Sequence, residues 1–153
     1  MKQKDLVAHI DREAVEAAIA KAEAASSAEI RVHLEPSAHG REVQRLAERT
    51  FERLGMTRTA LRNGVLIFLA AKEQQFAVIG DRGIHEKVGT AFWEAVAAHM
   101  VEHFRKGEMT EGLIDAVREV GERLAQHFPH AGGEDRDELS NQISVGSPPP
   151  PSS

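Results

Sequence analysis

Behind Asp11, apolar residues return at helical spacing as Val15, Ala18, Ile19 and Ala22, until Ser26 and Ser27 interrupt the pattern. That period predicts an amphipathic helix, with Asp11 suited to cap its start. The period then changes. In Glu29-Ile30-Arg31-Val32-His33-Leu34-Glu35 apolar and polar residues alternate strictly before Pro36, which predicts a strand with one buried face. From Glu42 to Leu54 the residues Val43, Leu46, Ala47, Phe51 and Leu54 restore the helical period, and Gly55 ends it.

Gly64-Val65-Leu66-Ile67-Phe68-Leu69-Ala70-Ala71 is an unbroken apolar run of strand length, so both its faces should be covered. The short polar segment Lys72-Glu73-Gln74-Gln75 separates it from Phe76-Ala77-Val78-Ile79, a spacing that suits a hairpin and an antiparallel third strand. The first and second strands are joined through a helix, which favours a parallel pair and therefore a mixed sheet. Two amphipathic segments follow, one carrying Phe92, Trp93, Val96, Met100 and Phe104, the other Leu113, Ile114, Val117, Val120 and Leu124. The expected fold is α/β: a three-layer α/β/α sandwich, with a small mixed sheet flanked by helices on both faces.

After Phe128-Pro129 the composition turns to glycine, acidic residues and serine, ending in Pro148-Pro149-Pro150-Pro151-Ser152-Ser153. Such a segment has too little apolar surface to offset the entropy of ordering it. The organisation read from the sequence is a lead-in over residues 1–10, one domain over 11–128 and a disordered tail over 129–153. The proline run is either a ligand for an aromatic groove or a stiff, soluble end.

Composition narrows the class. The chain has 153 residues, 41% hydrophobic and 28% charged, as expected of a single globular domain. No run approaches the ~20 apolar residues a membrane span needs, and the first residues lack a signal-peptide core, so a cytoplasmic location without membrane insertion is expected. With no cysteine, disulfides, thiolate catalysis and thiolate metal sites are excluded. A net charge of −5 with acidic and basic residues mixed along the chain argues against nucleic acid as a partner.

The strand directions bring polar residues to one edge of the sheet. The starts of strands one and two and the end of strand three should lie together, gathering Ser27 and Glu29, then Arg62 and Asn63, then Gly80-Asp81-Arg82-Gly83 with His85 and Glu86. Two glycines around Asp81-Arg82 suggest a tight turn or a close approach. Oxygen donors on such a turn suit a hard divalent cation, with Asp81 as the leading ligand and Glu86, Glu29 and Asn63 as candidate additions. The alternative is that Asp81 and Glu86 only cap the following helix while Arg62 pairs with one of them.

At these residues the chain resembles the TPM domain family, named for a thylakoid lumen protein, a photosystem II repair protein and a receptor modulator. The resemblance rests on Arg62-Asn63-Gly64-Val65-Leu66-Ile67-Phe68-Leu69-Ala70 and Phe76-Ala77-Val78-Ile79-Gly80-Asp81-Arg82-Gly83-Ile84. Phe104-Arg105-Lys106-Gly107 with Gly112-Leu113 adds a match to the family's FRxGxxxxGL segment. It spans residues 10 to 128. It implies a three-layer α/β/α fold, divalent-cation binding of the calcium or magnesium kind more than zinc, and a metal-assisted acid phosphatase activity known in some members. In much of the family Asp-Asn-Gly opens strand two and Gly-Tyr-Gly follows strand three. Here Arg62 replaces the Asp and Asp81-Arg82 sits between the glycines, so one acidic ligand is missing or relocated. In a hydrolytic version Arg62 or Arg82 would bind the phosphate of the substrate. In a non-enzymatic version the same edge, or the polar face of strand one, would dock a protein partner.

His99-Met100-Val101-Glu102-His103 fits an H-x-x-E-H pattern, in which two histidines one turn apart could hold zinc. No third ligand is placed by the sequence, and the two histidines fit equally well as side chains beside the apolar stripe. Nucleophile elbows, P-loops and dinucleotide-binding turns are absent. The polar side chains of strand one, Glu29, Arg31, His33 and Glu35, read as a solvated face unless something covers them, in which case they must find partners.

Overall fold

A computed structural model describes residues 10–58 and 62–129, with the backbone of Ser144 and Val145. The lead-in over 1–10 and the tail over 129–153 fall outside the described residues, apart from Ile10, Pro129 and that pair.

Helix α1 (Arg12–Ala24) starts where Asp11 caps it, the carboxylate accepting the Ala14 amide at 3.1 Å. Strand β1 (Glu29–Glu35) leads into α2 (Val43–Arg53), which is closed by Gly55 in the left-handed region at φ 73°. A single 3-10 turn at Met56–Arg58 precedes strand β2 (Gly64–Ala70), every residue of which is buried, as its unbroken apolar run requires. Strand β3 (Gln75–Gly80) returns antiparallel, with Val65 opposite Gly80 and Ala70 opposite Gln75. Strands β1 and β2 are parallel, from Glu29 opposite Gly64 to Glu35 opposite Ala70. The sheet is mixed, as the crossover through α2 dictates.

Helix α3 (Arg82–Arg105) and helix α4 (Met109–His127) form an antiparallel pair. The sequence period marks only the second part of α3. The structure extends the helix back to Arg82, with a break at Gly89, whose φ of 75° and ψ of 169° lie outside the helical region. A two-residue strand, β4 (Ser144–Val145), pairs parallel to β1 at His33 and Leu34, giving the order β3-β2-β1-β4. Nothing in the local pattern of that segment announces a strand.

Helices cover both faces of the sheet. Ile30, Val32 and Leu34 of β1 and Val65, Ile67 and Leu69 of β2 pack against Val15 and Ile19 of α1, Val96 and Met100 of α3, and Val117 and Leu124 of α4. On the other face Phe68 and Ala70 meet Val43 and Ala47 of α2, while Leu66 meets Phe51 and Met56. Helices α1 and α4 approach so closely that a Cβ on Gly121 would stand 2.6 Å from the Ala22 Cβ.

The polar face of β1 is covered at Glu29 and His33 and partly exposed at Arg31 and Glu35. Glu29 and His33 are buried; the His33 ring stacks on Phe68 with centroids 5.4 Å apart, and its Nε2 lies 3.0 Å from the Glu35 carboxylate. Burial pulls the Arg31 guanidinium below the ordinary arginine value. No helix among the described residues is long and apolar enough to cross a membrane.

Candidate functional site

Parallel pairing sets Glu29 beside Gly64, and antiparallel pairing sets Gly80 beside Val65, so the chain leaves β3 at the edge where β1 and β2 begin. Two main-chain bonds lock that edge. The Asp81 amide donates to the Gly64 carbonyl at 2.9 Å, and the Gly83 amide to the Arg62 carbonyl at 3.0 Å. Arg62, Asn63, Asp81 and Glu29 thereby share one end of the sheet, the convergence the strand directions imply.

Asp81 performs two tasks with one carboxylate. It caps α3, Oδ1 accepting the Arg82 amide at 2.8 Å, and it receives the Arg62 guanidinium through both oxygens, Nε to Oδ2 at 2.7 Å and Nη2 to Oδ1 at 2.9 Å. Paired donors of this kind are the strong, orienting form of the arginine–carboxylate contact. The Asp81 side chain is 5% exposed and that of Arg62 34%, so the carboxylate forms the floor and the guanidinium the rim. The hydrogen bond to Asp81 raises the Arg62 pKa, so the rim stays cationic. Arg62 also holds a φ of 51°, in the left-handed region that a branched-free but bulky side chain seldom adopts. Such strain concentrates at functional sites.

The remaining sequence candidates divide. Glu29 and Asn63 are buried at this edge. Arg82 is exposed beside the cap, and Glu86 is exposed on the next turn of α3, on the side away from the buried Ile84. Among the described residues no group of three or more acidic or histidine side chains is arranged to hold a metal ion. Two observations weigh on the fit of a divalent cation. The Asp81 oxygens already carry three donors, and the guanidinium stands where a cation bound to that carboxylate would approach. With Arg62 in this position, Asp81, Glu86, Glu29 and Asn63 do not form a ready cation site.

The H-x-x-E-H pair has a different setting. The His103 ring lies between two carboxylates, Nδ1 2.9 Å from Glu108 and Nε2 2.6 Å from Asp115, and His99 Nδ1 lies 2.6 Å from Glu119. The bonds to Glu108 and Asp115 raise the His103 pKa. Burial works to raise the Asp115 pKa, but His103 and Arg118 together hold it below the usual carboxylate range. Both ring nitrogens of His103 are thus engaged by anions, which favours the imidazolium and leaves no lone pair for zinc. The carboxylate partners come from α4 and the preceding loop, and no motif in the sequence links them to the histidines.

The structure also brings out two features that the sequence reading passed over. Trp93, packed on the edge of the core, lies against Gly80 at the end of β3. Arg45, Arg49 and Arg53 recur at four-residue spacing on the outer side of α2, a signal present in the sequence.

Comparison with known proteins gives a consistent result. Residues 1–123 match the family model of the TPM domain. The solution structure of the BA42 protein from the psychrophilic bacterium Bizionia argentinensis is 38% identical, with a TM-score of 0.81 over 88% of this chain and 92% of that one. The N-terminal domain of a P. gingivalis protein is 20% identical, with a TM-score of 0.64 over 77% of each chain. The N-terminal domain of the cg2496 protein from Corynebacterium glutamicum is 14% identical, with a TM-score of 0.58 over 86% of this chain and 75% of that one. These last two speak to the fold alone. No curated protein matches the chain.

Proposed function

The chain belongs to the TPM domain family, and on that premise we propose that it binds an anionic group, a phosphate ester being the leading class, at the sheet edge. Arg62 and Arg82 are the anion-contacting residues and Asp81 is the positioning residue. The observation that carries this reading is the Arg62–Asp81 pair: the carboxylate grips Nε and Nη2, Nη1 is not part of that pair, and the side chain is one-third exposed. A guanidinium fixed in this way has already lost its rotamer freedom, so an incoming phosphate meets a preorganised donor. The exposed Arg82 beside it adds a second charge at the start of α3, where helix amides favour anions.

A second reading, divalent-cation binding by Asp81 with Glu29, Asn63 and Glu86 and at most weak phosphatase activity, draws support from the burial of Glu29 and Asn63 at the same edge. A bound calcium or magnesium ion would supply electrophilic assistance to phosphoester hydrolysis. In this chain, it would have to displace the Arg62 guanidinium.

Backbone amide NMR separates the two. Titration of the full chain with phenyl phosphate should shift Arg62, Arg82 and Gly83, and Arg62→Ala should abolish those shifts. Shifts at Glu29, Asn63 and the 80–86 turn with calcium or magnesium, together with aryl phosphate turnover lost in Asp81→Ala, would install the second reading in place of the first. Silence towards both kinds of ligand would remove the edge as a small-ligand site.

A further inference from the structure

A second cationic feature lies on α2, the helix packed on β2 and β3. Helix α2 buries Val43, Ala47, Thr50 and Phe51 against the sheet and turns Arg45, Arg49 and Arg53 to solvent. Positions four apart sit on one stripe of a helix, about 6 Å from each other along its axis. Arg41, just before the Glu42 cap, extends the row past the helix start, and Arg41, Arg45 and Arg49 line a hollow of about 410 Å³ together with Glu42 and Leu46. Among the described residues none of these four arginines forms an ion pair or a side-chain hydrogen bond, whereas Arg62 and Arg118 each hold a carboxylate.

This arrangement is unfavourable for the isolated helix, since like charges four apart repel and only Arg53, in the last turn, gains from the helix dipole. Carboxylates that could neutralise the row are close in sequence. Yet Glu48 takes the Gln44 amide at 3.3 Å, and no carboxylate of α2 pairs with an arginine. The row consists wholly of arginine and contains no lysine, which suits paired contacts to planar carboxylates. We propose that this face of α2 docks an acidic helical segment of a partner protein, its carboxylates repeating every fourth residue and meeting Arg41, Arg45, Arg49 and Arg53 in turn.

The choice of occupant rests on spacing and charge. A helix bearing an acidic residue every fourth position repeats at the same ~6 Å as Arg45, Arg49 and Arg53, the helical part of the row, and drifts around its axis by the same ~40° per step. A broad anionic surface fits poorly. Glu42, Gln44, Glu48 and Glu52 flank the row, and the chain as a whole carries a net charge of −5, which repels an extended plane of phosphates within a Debye length of about 8–10 Å. A single narrow ridge of carboxylates can reach the arginines while meeting only Glu42, which shares their hollow, and passing Glu48 and Glu52 by.

Fluorescence anisotropy of the full chain with a labelled alanine-rich helical peptide carrying glutamate at every fourth position tests the proposal, at physiological salt. Saturable binding is expected, weakening at higher salt and falling at least about tenfold for Arg45→Glu/Arg49→Glu. The milder Arg45→Gln/Arg49→Gln should lower it less, while Arg62→Ala should leave it unchanged. Circular dichroism and melting temperature confirm that the variants fold, and the exposed positions make that the expected result. An absence of saturable binding, binding that survives both double variants, or preference for phosphatidylserine–phosphatidylcholine vesicles over the peptide would overturn it. Loss on Arg62→Ala alone would overturn it as well, by moving the contact to the sheet edge.

Discussion

A Cβ added to Gly80 would stand 2.8 Å from the indole ring of Trp93. The ring therefore rests against the main chain at the one point where β3 hands over to Asp81, and only a glycine allows it to lie so close.

Trp93 is the single tryptophan of the chain, so its emission reports on this edge. Phenyl phosphate should change that emission saturably in the native chain and leave it unchanged in Arg62→Ala. Calcium and magnesium should leave the native emission unchanged. Gly80→Ala should cost about 1–3 kcal/mol in urea unfolding, because the ring must move for the methyl group to fit.

Asp81 can be split into its two tasks. Asp81→Ala removes the cap of α3 and should lower stability by about 1–2 kcal/mol. Asp81→Ser should restore most of that loss, since serine caps well, yet still release Arg62 and weaken phosphate binding. Equal affinity in Asp81→Ser and the native chain would remove Asp81 as the positioning residue.

The His103 bridge gives the α3–α4 hairpin a pH dependence of known sign. Glu108 and Asp115 raise the folded-state value above the ordinary 6.5. The contribution is therefore complete below about pH 6.5 and fades as pH rises through the folded value. Melting temperature should decline across the neutral range and flatten in His103→Gln. Asp115, held low, contributes above the ordinary carboxylate value of 3.8, and its share is lost as pH falls through its folded value.

Gly121→Ala sets two magnitudes against each other. Alanine improves helix propensity by about 1 kcal/mol, while a Cβ contact of 2.6 Å with Ala22 forces overpacking that costs about 1–3 kcal/mol. Net destabilisation is expected in denaturant unfolding. A gain in stability would mean that α1 and α4 separate readily.

The fold was largely legible because each element announces itself through its period. The alternation of β1, the unbroken run of β2 and the short β2–β3 connection determine strand directions, and the directions determine which residues meet at the edge. The TPM resemblance, read from the segments around Arg62 and Gly80, agrees with the family match. Other features were not legible because they depend on distant neighbours. Whether the polar face of β1 meets water or protein is a property of what packs on it, and His33 stacked on Phe68 has no local signature. The partners of His103 lie 5 and 12 residues away with no motif joining them. The pairing of Arg62 with Asp81 stood as one of two readings, and sequence spacing offers no means of choosing between a carboxylate that awaits a cation and one that already has a guanidinium.

The break at Gly89 sets apart residues 82–88, which follow the Asp81 cap, from the long rod that packs on α4. The kink lets the first turns sit at the end of β3 while the rod lies along α4, and the His85 ring, 6.0 Å from that of Trp93, links the two pieces across the break. Within the short piece Ile84 is fully buried, while Arg82, Glu86 and Lys87 are exposed positions open to change. A designer seeking new specificity from this scaffold would begin by grafting there.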